Sequence, residues 1–183
     1  MSYVCVFLAE GFEEIEALTV VDLLRRVGIL TDLVSVTTQM TVTGSHGIEV
    51  RADKLIEEVE FVNIDMIVLP GGMPGTKNLE ECDLLMEELD LFYQQGKDIS
   101  AICAAPSILG HKGFLNGRIS CCYPTFESHL TGAVVTHNEV EVSGNIITSR
   151  GMGCAIAFSL AIIEKLIGKE TAEDLAEKIV YQS

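Results

Sequence analysis

The sequence predicts an α/β protein with a flavodoxin-like (Rossmann-like), doubly wound, mostly parallel sheet sandwiched by helices. Short apolar segments rich in Val and Ile recur along the chain, and several precede a segment with helical periodicity. Strands that are apolar over their whole length must be buried on both faces, which is typical of parallel sheets covered by helices. At 183 residues, with 48% hydrophobic and 21% charged residues, we expect one globular domain over residues 1–183.

The segments near the N-terminus show this pattern first. Residues 3–10 (YVCVFLAE) predict a strand, and residues 13–28 predict a helix that ends at Gly28. Residues 31–36 (TDLVSV) predict the next strand directly after that helix. The apolar stripe of the helix is expected to face the sheet, and it consists of Ile15, Leu18, Val21 and Leu24, widened by Val20, Leu23 and Val27.

The rest of the chain continues the alternation until a hairpin interrupts it. DMIVL (65–69) predicts a strand before the loop PGGMPG. Two short β-like runs around Ser143-Gly144-Asn145 predict a hairpin within residues 134–150. The last helix is expected to have Thr171 as its N-cap and Asp174 as the acidic partner of that cap. The helices predicted in this part of the chain cover residues 78–96, 154–168 and 171–182.

Charge and composition narrow the choice of partners and compartment. Lys and Arg number 12 and Asp and Glu 27, and the net charge of −15 repels phosphates, so no stable nucleic-acid binding is expected. The first apolar run has no basic leader, and the longest uncharged stretch is about 13 residues, whereas a bilayer span needs roughly 20. We therefore expect a cytoplasmic protein without a membrane segment. Six cysteines in such a protein predict free thiols rather than a disulfide framework.

Cys103 is the strongest candidate for a reactive residue. It lies where the strand DISAI (98–102) ends, and Pro106 requires a helix to begin close by, because proline fits only the first helical turn. A thiol at the positive end of a helix dipole is expected to have a lowered pKa and to form the nucleophilic thiolate. Ala101 and Ala105 flank the cysteine as small residues flank the nucleophile in a nucleophile elbow, although the usual glycines are absent.

The other cysteines provide the alternatives. Cys154 is the main competitor, because it also lies at a loop-to-helix junction, although Gly151 and Gly153 suggest close backbone packing there instead. Free cysteine is among the most often buried residue types, so the remaining thiols are expected to be inert. Three of them lie in apolar or β-like surroundings: Cys5, Cys121 and Cys122.

Two further loops are expected to meet Cys103 at the carboxyl ends of the parallel strands. The first carries Glu13, Glu14 and Glu16; acids in a first helical turn usually complement the helix dipole, and that explanation suffices for at least two of them. A carboxyl directed at Cys103 can hold or relay a proton, and Glu16 is the candidate for leaning inward. The loop PGGMPG (70–75) can supply backbone amides for an oxyanion, with an ordinary turn as the alternative.

The histidines do not predict a metal or a Cys/His dyad. His46, His111, His129 and His137 are scattered, and none has metal-ligand spacing with a cysteine. The residue after Cys103 is alanine, so no imidazole is adjacent to the sulfur. We therefore expect neither a metal nor a cofactor.

These motifs together resemble the DJ/ThiJ/PfpI superfamily, and in particular the branch that contains the parkinsonism-associated protein deglycase. The matching segments run through almost the whole chain and are EGFEEIE, VDLLRRVGI, VLPGGMPGTKNL, AICAAPSIL, TSRGMG and LIGKE. The resemblance implies a homodimeric, class I glutamine amidotransferase-like sandwich. It implies that Cys103 is the nucleophile and Glu16 the protonated carboxyl beside it. It further implies that backbone amides of Gly72 and Ala104 bind the substrate oxygen, with Gly71 and Tyr123 also at the substrate site.

The chain departs from the family pattern at four positions. Ala104 follows the cysteine where the protease-like branch has a histidine, which disfavours a Cys/His peptidase. Tyr123 stands where close relatives carry a histidine, and His46 where they carry an arginine. Met152 replaces a proline in the loop TSRG. These changes alter the rim of the pocket, so substrate preference does not transfer from the family.

Two functions from different classes fit this sequence. The first is a glyoxalase or deglycase that attacks methylglyoxal-like dicarbonyls, or their protein adducts, with the Cys103 thiolate. The second is a non-enzymatic sensor of oxidative stress or a redox-regulated chaperone, in which the same sulfur is oxidised by peroxide.

Overall fold

Seven strands form the central sheet of the protein. The computed structural model describes residues 2–182. The strand order is β10-β11-β7-β6-β1-β2-β5, and all neighbours are parallel except the antiparallel hairpin β10–β11. The mostly parallel, flavodoxin-like sheet is therefore confirmed, as is the hairpin. These strands are β1 Tyr3–Leu8, β2 Leu30–Ser35, β5 Lys54–Leu55, β6 Met66–Leu69, β7 Asp98–Ile102, β10 Val140–Ser143 and β11 Ile146–Ser149.

Helices cover both faces of this sheet. Two smaller sheets lie beside it: β3 Thr41–Thr43 pairs with β4 Glu49–Arg51, and β8 Ile119–Ser120 pairs with β9 Val134–Val135. No helix within residues 2–182 is long and apolar enough to cross a membrane. The helices are α1 Glu14–Arg26, α2 Gly75–Glu80, α3 Asp83–Gln95, α4 Pro106–His111, α5 Ala155–Ile167 and α6 Lys169–Lys178.

The central sheet divides the core into two layers, as the side chains of β1 show. Successive side chains of a strand point to opposite faces. Val4, Val6 and Leu8 accordingly join the layer formed with α1, α5 and α6, whereas Cys5 and Phe7 join the layer formed with α2, α3 and α4. All five are fully buried, which explains why this strand is apolar without alternation.

The buried face of α1 differs from the predicted stripe. Val21 and Leu24 are buried as predicted, but Ile15 is 47% exposed and Leu18 36% exposed. The helix instead turns Ala17 and the carboxyl-bearing Glu16 toward the interior. The hydrophobic periodicity predicted the position of α1 correctly. Tertiary contacts at the first turn of α1, however, bury a different face of the helix from the most hydrophobic one.

Two predicted helix boundaries are also wrong. The single helix predicted over residues 78–96 is two helices, because the extended backbone of Cys82 separates α2 from α3. The last helix begins at Lys169, since Gly168 has φ 103° and allows α6 to follow α5 almost directly. Thr171 therefore lies inside the helix and is not its N-cap.

The sheet brings three loops together at the carboxyl ends of β1, β6 and β7. These loops contain residues 9–13, 70–74 and 103–105, in that order. The carboxyl ends of neighbouring parallel strands share one edge, which is where open α/β sheets bind their ligands.

Candidate active site

Cys103 occupies a strained turn at the end of β7. Its φ is 66°, in the left-handed region that non-glycine residues rarely adopt. Its amide donates to the carbonyl of Ser149 at 2.9 Å, and its carbonyl accepts a hydrogen bond from the amide of Tyr123 at 2.7 Å. Both backbone groups are thus held by neighbouring segments, which fixes the conformation. The helix α4 begins at Pro106, slightly later than the expected start near Ala104.

Glycines 71 and 72 have different partners at this site. The amide of Gly71 donates to Oε2 of Glu16 at 2.8 Å. The backbone amides of Gly72 and Ala104 act on the Cys103 sulfur in the sense that lowers the pKa of the thiol. The loop PGGMPG therefore supplies one donor to the carboxyl and one to the thiol.

The space at Gly71 explains why this position has no side chain. A Cβ atom there would lie 2.6 Å from Cβ of Cys103 and 2.8 Å from Oε2 of Glu16. Gly72 is required for a different reason, because its φ is 89° and a Cβ would lie 2.5 Å from the amide nitrogen of Glu13. The thiol and the carboxyl are held together by close backbone packing.

Glu16 is the carboxyl that the fold directs toward Cys103. Its side chain is fully buried, and its Oε1 makes no hydrogen bond with any residue in 2–182. Burial disfavours the charged form and raises the pKa to about 7, although the Gly71 amide and the Cys103 thiol act in the opposite direction. Such a group can exchange a proton near neutral pH, as a general acid or base requires.

The surroundings of Cys103 oppose the predicted lowering of its pKa. While Glu16 is ionised, burial and the charge of that carboxylate raise the pKa of the thiol to about 12. The amides of Gly72 and Ala104 favour the thiolate but do not outweigh these two effects. The prediction from the helix dipole is wrong for this state, because it neglected desolvation and the neighbouring acid.

Three residues of the predicted pocket rim are solvent-exposed, and one of them, Tyr123, is hydrogen-bonded to the backbone of Cys103. Tyr123 is 48% exposed, is bonded to Cys103 through its backbone and lies close to Gly151. Met152, 53% exposed, follows Gly151 directly. His46 instead contacts Glu13 and Glu14.

The remaining cysteines differ from Cys103 in their surroundings. All six are free thiols. Burial raises the pKa of Cys154, and this residue has no buried carboxyl among the groups that perturb it. Gly153 has open space at its Cβ position, so the close packing predicted beside Cys154 is wrong at that glycine. Three thiols are buried as expected, with the pKa raised by burial to about 12, 11 and 12: Cys5, Cys121 and Cys122.

Comparison with known proteins assigns the chain to a family. The model of the DJ-1/PfpI family matches residues 2–165, and the chain belongs to this family. Protein DJ-1 homolog A of Arabidopsis thaliana is 39% identical over 178 residues, which cover 96% of this chain and 45% of that protein. The chain thus spans about two fifths of the length of the two Arabidopsis relatives it matches.

Two other similar proteins match over nearly their full length. The glutathione-independent glyoxalase DJR-1.2 of Caenorhabditis elegans is 33% identical over 172 residues, covering 93% of this chain and 91% of that protein. The structure of oxidized DJ-1 from Toxoplasma gondii superposes with a TM-score of 0.96 at 38% identity and covers 100% of both chains. The flavodoxin-like fold of this family is therefore shared over the whole chain.

We predict that Glu16→Gln changes the pH dependence of stability. Between about pH 4.5 and 7 the unfolded chain releases the Glu16 proton while the folded chain keeps it, so the wild type loses stability as the pH rises. The shift from 4.5 to about 7 corresponds to about 3 kcal/mol. Relative to wild type, the variant should gain about this much free energy of unfolding between pH 4 and pH 8, measured by thermal or urea unfolding.

The matched control for this measurement is Glu14→Gln. Hydrogen bonds from backbone amides and His46 outweigh burial and lower the Glu14 pKa to about 2, so this carboxylate stabilises the fold above about pH 4.5. The control should therefore lose stability at pH 8. Equal curves for wild type and Glu16→Gln at both pH values would contradict the raised pKa.

We also predict that Gly71→Ala disrupts the site, whereas Gly153→Ala does not. The new methyl group at position 71 forces Cys103 and Glu16 apart, and overpacking of this kind costs about 1–3 kcal/mol. A methyl group at position 153 meets no atom within 4 Å, so that change should stay within about 0.5 kcal/mol. Urea unfolding of the two variants measures both effects, and equal destabilisation would show that the packing at Gly71 is not limiting.

Proposed function

We propose that the protein is a cysteine-dependent glyoxalase or deglycase that acts on methylglyoxal-like dicarbonyls or their protein adducts without a cofactor. The observation that carries this proposal is the packing of the Cys103 thiol against the buried, easily protonated carboxyl of Glu16. The C. elegans relative named as a glutathione-independent glyoxalase supports the same chemistry. Cys103 and Glu16 are therefore proposed as the catalytic pair.

Glu16 and Cys103 form a coupled pair that loses its first proton near neutral pH. The remaining proton can reside on the sulfur or on the carboxyl. The amides of Gly72 and Ala104 stabilise negative charge on the sulfur, so the pair can present a thiolate beside a neutral carboxylic acid. We propose this form as the reactive one.

The proposed reaction begins when the thiolate attacks the aldehyde carbon. A carbon–sulfur bond forms, the carbonyl electron pair moves to oxygen, and Glu16 protonates this oxygen to give a hemithioacetal. We propose that the amides of Gly72 and Ala104, which act on the sulfur, also stabilise the transient oxyanion. Glu16, now ionised, takes the proton from the former aldehyde carbon and returns it to the adjacent carbon, while the hydroxyl proton of the hemithioacetal passes to the neighbouring oxygen, which gives a thioester. Water hydrolyses this thioester and releases lactate and the Cys103 thiol. The sum for methylglyoxal is addition of one water to give lactate.

We predict that substitutions can abolish turnover of methylglyoxal while leaving the Cys103 thiol reactive. Cys103→Ala should abolish methylglyoxal consumption, whereas Cys154→Ala should retain it. Glu16→Gln should also lose turnover, by about 10²–10⁴-fold as for loss of a general acid–base group. Its Cys103 should still react with iodoacetamide at a rate within about tenfold of wild type. Rates of lactate formation and alkylation mapped by peptide mass spectrometry measure both quantities.

Each outcome bears on one step of the proposal. Unchanged turnover in Cys103→Ala contradicts the enzyme mechanism as a whole. Faster alkylation of Cys103 in Glu16→Gln would instead mean that Glu16 is ionised and Cys103 protonated in the resting protein.

A redox-sensing role is the second candidate. The same thiolate can attack peroxide, forming a sulfenic acid and, with a second peroxide, a sulfinic acid. The Toxoplasma gondii structure similar to this chain is described as oxidized. Stoichiometric oxidation of Cys103 in a protein that does not turn over dicarbonyls would favour this role over the enzymatic one.

We further propose that the protein is a cytoplasmic homodimer that uses the exposed apolar side chains near the start of α1. Ile15 and Leu18 belong to the predicted apolar stripe of α1 but are solvent-exposed. Ile48 is 54% exposed and lies in the loop that contacts Glu14. Exposed aliphatic side chains grouped in this way are typical of protein interfaces.

We predict that Ile15→Glu produces a monomer at micromolar concentration while the wild type sediments as a dimer. Leu91→Glu is the matched control, because Leu91 is a similarly exposed aliphatic residue (45%) on α3. Sedimentation velocity measures the states. A monomeric wild type, or dissociation by the control alone, would contradict the proposed interface.

A further inference from the structure

Four atoms that can act as metal ligands meet beside the first turn of α1, and none of them belongs to Cys103 or Glu16. Ser45 Oγ lies 3.1 Å from Oε2 of Glu13, 3.3 Å from Oε2 of Glu14 and 3.0 Å from Nδ1 of His46. Nδ1 of His46 lies 3.1 Å from Oε2 of Glu14 and 3.7 Å from Oε2 of Glu13. We call these four residues the Glu13–His46 cluster.

The cluster has fewer protons available for hydrogen bonding than it has close contacts between its polar atoms. Ser45 has one hydroxyl proton and His46 at most one proton on Nδ1, while carboxylate oxygens have none. The hydroxyl proton can serve only one of the three electronegative atoms at 3.0–3.3 Å from Ser45 Oγ. The imidazole proton can serve a second contact, and the remaining lone pairs of the cluster still face one another, whereas a cation among the four atoms attracts all of them at once.

The distances fit one size of cation. The five separations of 3.0–3.7 Å are close to five of the six edges of a tetrahedron whose centre lies about 2.0 Å from each corner. The ligand atoms of Glu13, Glu14 and His46 all lie within 4.8 Å of one another. Zinc binds imidazole nitrogen and carboxylate oxygen at about 2.0–2.2 Å. An imidazole ligand also favours a transition metal over Mg²⁺ or Ca²⁺, which prefer all-oxygen sites.

We propose that the Glu13–His46 cluster binds a divalent transition metal, with Zn²⁺ as the best match. The ligands are one carboxylate oxygen from each of Glu13 and Glu14 and Nδ1 of His46. The hydroxyl of Ser45, or a water in its place, completes the tetrahedron. The site does not depend on the proposed enzymatic function.

The surroundings hold these ligands in position before any ion binds. Glu14 is 96% buried, and its other oxygen, Oε1, accepts a hydrogen bond from the amide of His46 at 2.8 Å. This contact leaves Oε2 directed at the cluster, as outer hydrogen bonds orient the ligands of known metal sites. A Cβ at Gly44 would lie 2.4 Å from Oε1 of Glu14, so only glycine lets the loop approach this carboxyl so closely. The amide of Ser45 also bonds to the carbonyl of Phe12 at 2.8 Å.

A bound metal would join two parts of the chain. Glu13 and Glu14 begin α1, whereas Ser45 and His46 lie in the loop between β3 and β4. The ion therefore ties this loop to α1, and binding must raise the thermal stability of the folded protein.

His46→Arg is the sharpest variant for testing the site. The arginine places a permanent cation beside the same carboxylates, so the fold should be preserved while the metal is excluded. His129→Ala is the matched control, because His129 Nδ1 lies 2.9 Å from Nε2 of His111 and this imidazole pair is the competing location for a metal.

The experiment uses chelator-treated protein and adds Zn²⁺, followed by calorimetry and thermal unfolding, and then Co²⁺ followed by absorption spectroscopy. We expect one Zn²⁺ per chain with a raised Tm in wild type and in His129→Ala, and at least a tenfold loss of affinity in His46→Arg. Co²⁺ should show the visible bands of tetrahedral coordination without thiolate charge-transfer bands.

Three results would overturn the proposal. The first is the absence of Zn²⁺ binding in wild type, which would show that the cluster is only an ion pair between His46 and Glu14. The second is loss of binding in His129→Ala with binding retained in His46→Arg. The third is a thiolate charge-transfer band with Co²⁺, which would locate the metal on a cysteine.

Discussion

The close approach of a buried carboxyl to a strained cysteine is the constraint on which this structure depends. Glu16 at the start of α1 and Cys103 at the end of β7 are far apart in sequence, and the backbone of Gly71 after β6 lies between them. A side chain at position 71 is excluded because its first atom would contact both groups. The arrangement therefore requires three neighbouring strands to end at the same edge, which the parallel order β7-β6-β1 provides.

This contact costs stability and places a carboxyl that titrates near neutral pH beside a thiol, and both effects follow from removing the carboxyl from water. Removing the Glu16 carboxyl from water raises its pKa to about 7, and the resulting proton exchange near neutral pH is useful only beside a group that needs it. The Cys103 turn is also strained, and hydrogen bonds to Ser149 and Tyr123 hold it in place. Neither feature improves the packing of the core, so both are more easily explained by chemistry than by folding.

The sequence predicted the parts of this site that depend on local patterns. Pro106 placed the junction after β7, and the apolar strands predicted which loops meet at the sheet edge. The roles of Gly72 and Ala104 came from the family resemblance, and the structure adds that their amides approach the sulfur.

Long-range contacts account for the parts that the sequence did not predict. Ile15 and Leu18 are exposed because of the way α1 packs on the sheet. Burial of Glu16 fixes the orientation of α1 about its axis, and hydrophobic periodicity does not predict that orientation. The raised pKa of Cys103 results from burial and from a carboxyl 87 positions earlier in the chain, and a dipole argument about its own helix could include neither. The approach of His46 to Glu13 and Glu14 likewise needs the fold of the loop between β3 and β4.

Glu14 and Glu16 show how environment separates two identical side chains two positions apart. Both are buried in the first turns of α1, yet the pKa of Glu14 falls to about 2 and that of Glu16 rises to about 7. Glu14 receives hydrogen bonds from backbone amides and His46, whereas one oxygen of Glu16 has no partner among residues 2–182. Permanent charge suits a group that binds a cation or anchors a loop, and a pKa near 7 suits a group that transfers protons. The two carboxyls therefore meet different loops, Glu14 the loop between β3 and β4 and Glu16 the loop after β6, and these loops set their opposite proton affinities.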